Sequence, residues 1–87
     1  MTLSIITPDK TINHEGIGDI AIPTPNGLKH LKINNGTVEL MQKGKVTLLL
    51  QRKGKTEPEK LEFYVQDGIV YVEHSVINLV TSEVANS

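Results

Sequence analysis

Three histidines are the residues in this sequence best suited to acid–base or metal chemistry, and they stand far apart. They are His14, His30 and His74. A metal site needs His, Cys or carboxylate ligands at short intervals, and a catalytic centre needs a nucleophile, a base and an acid that converge. The chain has no cysteine, no Gly-x-Ser-x-Gly nucleophile motif and no acidic residues spaced like metal ligands around a histidine. The sequence therefore predicts a non-catalytic protein with no metal site and no cofactor.

Two short motifs match functional signatures in their residues but lack the surrounding sequence that those functions require. Gly16 and Gly18 begin a Gly-x-Gly, but no Gly-rich phosphate loop leading into a helix follows them. Residues 35–37 match the acceptor triplet for N-glycosylation, but the N-terminus does not have the composition of a secretion signal. We interpret both motifs as turn or bulge segments.

The basic residues are concentrated in the middle of the chain. Seven of the nine Lys and Arg residues lie in 28–55, whereas residues 56–87 hold six acidic residues against one lysine. Nucleic-acid binding would require aromatic residues among the basic ones, but all three aromatic residues lie in the acidic third. We therefore expect no nucleic-acid partner. The uneven charge fits either a domain with different partners on different sides or strand faces that are simply solvated.

The length of 87 residues allows one domain. We expect it to span residues 1–81, with residues 82–87 as a short flexible tail. Uninterrupted apolar runs such as Leu48 to Leu50 are far too short to cross a membrane. The sequence predicts a cytoplasmic protein without direct membrane insertion.

The apolar residues alternate with a period of two, in short runs separated by turn signals about every ten residues. This pattern predicts an all-β fold, a flattened antiparallel β-sandwich of about 8–10 short strands. Asn35-Gly36 and Asp67-Gly68 are the strongest signals for tight antiparallel hairpins. The nine predicted strands cover residues 3–7, 11–14, 17–22, 28–33, 37–41, 46–51, 61–65, 69–72 and 76–80.

Alternation also predicts which side chains form the core of the sandwich. The expected core consists of apolar residues, many of them β-branched, on one face of each longer strand. They are Ile5, Ile20, Ile22, Val46, Leu48, Leu50, Val65, Val70, Val72, Ile77 and Leu79.

Several segments follow one another in an order typical of one family. An apolar strand runs into Thr7-Pro8, an alternating strand at residues 16–23 ends in a turn, and Lys43-Gly44 precedes another apolar strand. Residues 63–73 and 76–80 are the closest stretch, with a Gly-Ile-Val-x-Val core. In order and spacing these segments resemble the β-sandwich domain of the epsilon subunit of F-type ATP synthases, which is equivalent to the mitochondrial delta subunit. The family's Gly-aliphatic-Leu-Pro-x-His-Ala-Pro loop falls on residues 30–37, which keep Leu31 but not the prolines and histidine.

The resemblance implies a role in a rotary machine. It implies a non-catalytic rotor subunit of the central stalk that binds the gamma subunit and touches the membrane ring of a proton-translocating ATP synthase. It implies a location on the inner face of the cell membrane, held there by the complex, and a short form without the C-terminal helical hairpin of longer members. The alternative is an unrelated small all-β module that binds a protein or a ligand. The residues that the resemblance places at the ring are Asn26, Leu28, Lys29, Lys32, Asn34 and Asn35.

Overall fold

Ten strands form two five-stranded sheets in the computed structural model, which describes residues 1–51 and 53–86. Sheet A has the strand order β2-β1-β9-β8-β5, and sheet B has the order β10-β7-β6-β3-β4. The strands are β1 Thr2–Ile6, β2 Thr11–His14, β3 Ile17–Thr24, β4 Gly27–His30, β5 Val38–Met41, β6 Gly44–Leu50, β7 Glu59–Val65, β8 Gly68–Glu73, β9 Val76–Val80 and β10 Val84–Asn86.

The prediction of an all-β sandwich is confirmed. In β1, β6 and β9 the side chains alternate between buried and more exposed positions, as expected when one face of a sheet covers a core. All eleven predicted core residues are buried between the two sheets. Among the described residues, six further apolar residues that were not predicted are also buried, namely Leu3, Ile17, Ala21, Leu31, Met41 and Phe63.

One strand pair departs from the predicted antiparallel arrangement. β1 and β9 pair in parallel, with Leu3 opposite Ile77 and Ile5 opposite Leu79. These strands lie at opposite ends of the chain and no hairpin joins them, so turn geometry does not impose an antiparallel direction. The pairing places the first strand in the interior of sheet A, between β2 and β9.

The prediction of tight hairpins at Asn35-Gly36 and Asp67-Gly68 is wrong. The turn at Asn34–Gly36 leads from β4 in sheet B to β5 in sheet A, and the turn at Asp67 leads from β7 in sheet B to β8 in sheet A. Residues 31–33, predicted to extend β4, belong to the first of these connections, and Leu31 is buried in the core. A turn signal marks where the chain reverses, but the packing of the sheets decides whether the next strand pairs or crosses over.

A two-residue hairpin of sheet A occurs instead at His74-Ser75. It joins β8 to β9, with Glu73 opposite Val76. His74 and Ser75 have positive φ angles of 53° and 62°, as both central residues of a type I′ turn must. Neither residue is the Asn or Gly that usually signals this turn, so the sequence predicted only a short connection there.

Part of the C-terminal segment has regular structure. Residues 84–86 form β10, which pairs with β7 and extends sheet B by one strand. The side chain of Val84 is partly buried against the core. A helix of this length is unstable, but a strand draws its hydrogen bonds from a neighbour. The division into a domain of residues 1–81 and a tail stays a prediction.

Two residues lie outside the described residues. They are Arg52, in the predicted loop after β6, and Ser87.

We expect Ile77→Ala to lower the free energy of unfolding by about 2–5 kcal/mol, because Ile77 is fully buried and its truncation leaves a cavity in the core. Urea unfolding followed by far-UV circular dichroism measures the change. The control is Ile77→Val, which removes one methylene and should cost about 0.5–1.5 kcal/mol. Equal, small losses for the two variants would contradict the placement of Ile77 in the core.

Candidate protein-binding site

Three of the predicted contact residues lie together beside edge strand β5. Asn26 is in the turn between β3 and β4, and Leu28 and Lys29 are on β4. β4 and β5 are edge strands of different sheets, so an open groove runs between them. Its lining residues are Thr24, Pro25, Asn26, Leu28, Lys29, Val38, Glu39 and Leu40. We call it the β4–β5 groove.

The other predicted residues lie outside this groove. Asn34 and Asn35 precede β5, and the Asn35 side-chain oxygen accepts a hydrogen bond of 3.0 Å from the backbone N–H of Ser75. Lys32 is exposed on the connection between β4 and β5. The structure thus brings Asn26, Leu28 and Lys29 into one groove and places Asn34 and Asn35 beside the β8–β9 turn.

Sequence reasoning missed the two most exposed apolar residues of β5. Val38 is 59% exposed and Leu40 is 64% exposed, and Leu28 across the groove is 67% exposed. Glu39 and Met41 alternate with them and point toward the interior side of sheet A. Both faces of β5 carry apolar residues, so alternation alone did not tell which face is covered.

One ion pair crosses the groove. The Lys29 ammonium on β4 contacts the Glu39 carboxylate on β5 and so links the open edges of the two sheets. Both side chains stay partly exposed, so the pair contributes little to stability.

The charges that are segregated along the sequence are interleaved in the fold. β6 comes from the basic segment and β7 from the acidic one, and their antiparallel pairing brings Lys45 within 3.0 Å of Glu62. The hydrogen bond that Lys45 donates lowers the pKa of Glu62 and raises the pKa of Lys45. Lys60 lies 3.7 Å from the same carboxylate. The outer face of sheet B therefore carries charges of both signs.

His30 and His74 lie in separate, exposed places, and His14 lies on β2 opposite the buried Leu3. His30 is on β4, and its Nδ1 atom is 2.8 Å from Asp19 Oδ2 on the outer face of sheet B. His74 is in the β8–β9 turn, 3.5 Å from the carboxylate of Glu73. Across residues 1–51 and 53–86, no three His, Asp or Glu side chains are grouped so that they would hold a metal ion. In the same part of the chain we find no helix with the length and hydropathy of a membrane span.

Chains of two solved ATP synthase structures are among those that match nearly all of this chain. A chain of the Tetrahymena thermophila mitochondrial ATP synthase central stalk/c-ring structure superposes with a TM-score of 0.74, at 15% identity, over 99% of this chain. The fold is shared with ATP synthase chains. A chain of the Euglena gracilis mitochondrial ATP synthase structure, which comprises OSCP, F1 and c-ring, superposes with a TM-score of 0.76, at 20% identity, over 97% of this chain.

The matches cover less of the ATP synthase chains than of this one. The chain described here spans 66% of the Tetrahymena chain and 51% of the Euglena chain. No protein-family model matches the sequence, and no curated protein matches it. At these identities the comparison demonstrates the fold, which agrees with the epsilon-type β-sandwich to which the sequence is similar.

Proposed function

We propose that this chain is a non-catalytic subunit of the central stalk of an F-type ATP synthase and connects the gamma subunit to the membrane ring. The observation that carries the proposal is the match of nearly the entire chain to chains from two separate ATP synthase assemblies, both described as containing the c-ring. The ordered motifs of the sequence support the same family independently of the fold. The protein would then be held at the inner face of the membrane through the complex.

The chain should co-purify with ATP synthase from membranes of its own source. A stalk subunit binds its neighbours stoichiometrically and permanently, so a tagged chain is expected to recover the gamma, alpha, beta and ring subunits after detergent extraction. Quantitative mass spectrometry of the eluate, with an untagged strain as control, measures this. Recovery of the chain alone, or with unrelated proteins only, would favour a separate β-domain module that binds another protein or a ligand.

We propose further that Asn26, Leu28, Lys29, Lys32, Asn34 and Asn35 contact the ring. The exposure of these residues along one edge of the sandwich supports a contact of this kind. Lys32 would supply positive charge to the polar loops of the ring, and Lys29 would do so where its contact with Glu39 opens.

Single cysteines at Asn26 and Asn35 test this contact, because the natural chain has no cysteine to compete. In the intact complex each is expected to crosslink to ring subunits carrying a cysteine in their polar loops. A cysteine at Thr56, in the loop between β6 and β7, serves as the exposed control. Crosslinking from Thr56 but from neither asparagine position would contradict the assignment.

A further inference from the structure

The chain contains two Asn-Gly pairs, and both lie at exposed turns. Asn26 is in the turn between β3 and β4, with Gly27 as the first residue of β4, and Asn35-Gly36 is in the connection before β5. A glycine after an asparagine leaves its backbone nitrogen sterically open to the asparagine side chain, because glycine has no Cβ atom. All four residues are exposed, so exposure does not distinguish the two pairs.

Hydrogen bonds to other segments hold the Asn35-Gly36 pair. The Gly36 N–H donates to the Val72 carbonyl oxygen at 2.8 Å, and the Asn35 side-chain oxygen accepts from the Ser75 N–H at 3.0 Å. The Val72 N–H in turn donates to the Thr37 carbonyl oxygen at 2.9 Å. Val72 is on β8, which lies between β9 and β5 in sheet A. The backbone nitrogen and the side chain of this pair are therefore both fixed, the first by an interior strand and the second by the β8–β9 turn.

The turn around Asn26 is closed by local contacts. The Thr24 hydroxyl donates to the Gly27 carbonyl oxygen at 2.6 Å and accepts from the Asn26 N–H at 3.2 Å. In the described part of the chain, the Asn26 side chain has no hydrogen-bond partner. Gly27 belongs to the last pair of the β3–β4 ladder, opposite Thr24, and β4 is an edge strand. The turn can therefore open within residues 24–27 while the rest of sheet B stays paired.

We propose that Asn26 is a site of spontaneous deamidation and that the fold protects Asn35 from the same reaction. The Gly27 nitrogen loses its proton and bonds to the Cγ atom of Asn26, whose Nδ2 takes up a proton and leaves as ammonia. Water then adds to one of the two carbonyl carbons of the resulting succinimide, and the C–N bond there breaks to give aspartate or isoaspartate. The net reaction consumes one water, releases one ammonia and changes no oxidation state. It needs only water and the chain itself, so it is independent of the proposed function.

The two pairs differ in what must be broken before the nitrogen can attack. The nucleophile is the deprotonated amide, so an N–H that donates a hydrogen bond must first lose that bond, as in hydrogen exchange. Gly36 must separate from Val72, and Asn35 must also release Ser75 before its Cγ atom can turn toward the nitrogen. At Asn26 the side chain is free to turn, and the amide lies where the ladder frays most easily.

Deamidation at Asn26 would change the β4–β5 groove in charge and in shape. Lys29 and Glu39 are the charged residues that line the groove, and their charges cancel. A carboxylate at position 26 gives the groove a net negative charge. Isoaspartate also adds a methylene group to the backbone inside the turn that Thr24 closes, so the two hydrogen bonds of its hydroxyl cannot both be kept.

The test is to age the purified chain in mildly alkaline buffer and to follow both asparagines by peptide mass spectrometry. Heavy-oxygen water marks each deamidated residue by the oxygen that it incorporates, and isoaspartyl methyltransferase labels the isoaspartate. We expect Asn26 to deamidate at least about tenfold faster than Asn35 in the folded chain. In urea sufficient to unfold the chain, the two rates should agree within about threefold, since both asparagines precede a glycine.

Asn26→Gln is the matched control, because the longer side chain would have to close a larger and less favourable ring. In the time that the folded wild type gains an acidic variant on ion exchange, the folded Asn26→Gln chain should gain almost none. Equal rates at Asn26 and Asn35 in the folded chain would show that the hydrogen bonds around Asn35 do not protect it, which overturns the proposal. If Asn26 stays intact in the folded chain but reacts in urea, the turn protects it and the proposal also fails.

Discussion

Gly68→Ala is expected to destabilise the protein by about 3 kcal/mol or more. Gly68 begins β8 at the crossing from sheet B to sheet A. Its φ angle is 142°, which residues other than glycine rarely adopt. A Cβ atom at this position would lie far inside van der Waals contact with the Val80 carbonyl oxygen on the neighbouring strand. That oxygen is backbone, so it cannot move away without disturbing the β8–β9 pairing. For a domain whose total stability is about 5–15 kcal/mol, the loss should be visible as a large fall in melting temperature.

Gly36→Ala is the matched control for this substitution. Gly36 also has a positive φ, 93°, but a Cβ there would meet no atom within 4 Å. Its replacement should therefore cost only the backbone strain, about 1–2 kcal/mol. Urea unfolding of both variants separates the steric part of the effect from the conformational part. Similar losses at both positions would show that the close approach to Val80 has no energetic consequence.

Removal of the chain from its ATP synthase is expected to abolish most ATP-driven proton pumping, and addition of the purified 87-residue chain is expected to restore it. The proposed role explains this result, because torque reaches the membrane ring only through a continuous stalk. Proton uptake into inside-out vesicles, followed with a pH-sensitive fluorophore, measures coupling, and phosphate release measures hydrolysis in the same sample. The ratio of pumping to hydrolysis is the quantity that should fall and recover.

The destabilised Gly68→Ala chain provides the negative control for reconstitution, since it has the same composition but should be largely unable to present a folded surface. Full pumping by the depleted enzyme without any addition would contradict a coupling role. Recovery of pumping with the Gly68→Ala chain, if unfolding experiments show it to be unfolded, would indicate that the folded sandwich is not what restores coupling.

The sequence alone predicted the class of fold and most of its core. Period-two alternation marks the buried face of a strand wherever only one face is covered, which explains why residues such as Ile20, Leu48 and Leu79 were identified correctly. The segments that it missed obey other constraints. Leu31 is buried on a connection without a strand period, and β10 is a three-residue strand whose stability comes from β7.

The candidate contacts were predictable only in part. The positions of Asn26, Leu28 and Lys29 came from the family resemblance, and the fold does bring them together in one groove. Val38 and Leu40 were not recognised, because an exposed leucine and a buried leucine look the same in a sequence. Their exposure follows from the place of β5 at the edge of sheet A, with no strand on its other side in the described part of the chain.

The sequence by itself therefore determined where strands form, where the chain turns and which side chains can fill a core, because these depend on residues close to one another along the chain. The tertiary structure decided which strands pair. It sent the chain across the sandwich at Asn35-Gly36 and Asp67-Gly68, where local signals predicted hairpins, and it paired β1 with β9 in parallel across most of the chain length. It also interleaved the basic and acidic segments on sheet B and left few charged residues on the outer face of sheet A. These features depend on contacts between distant residues, whose free energy appears only when both sheets are packed together.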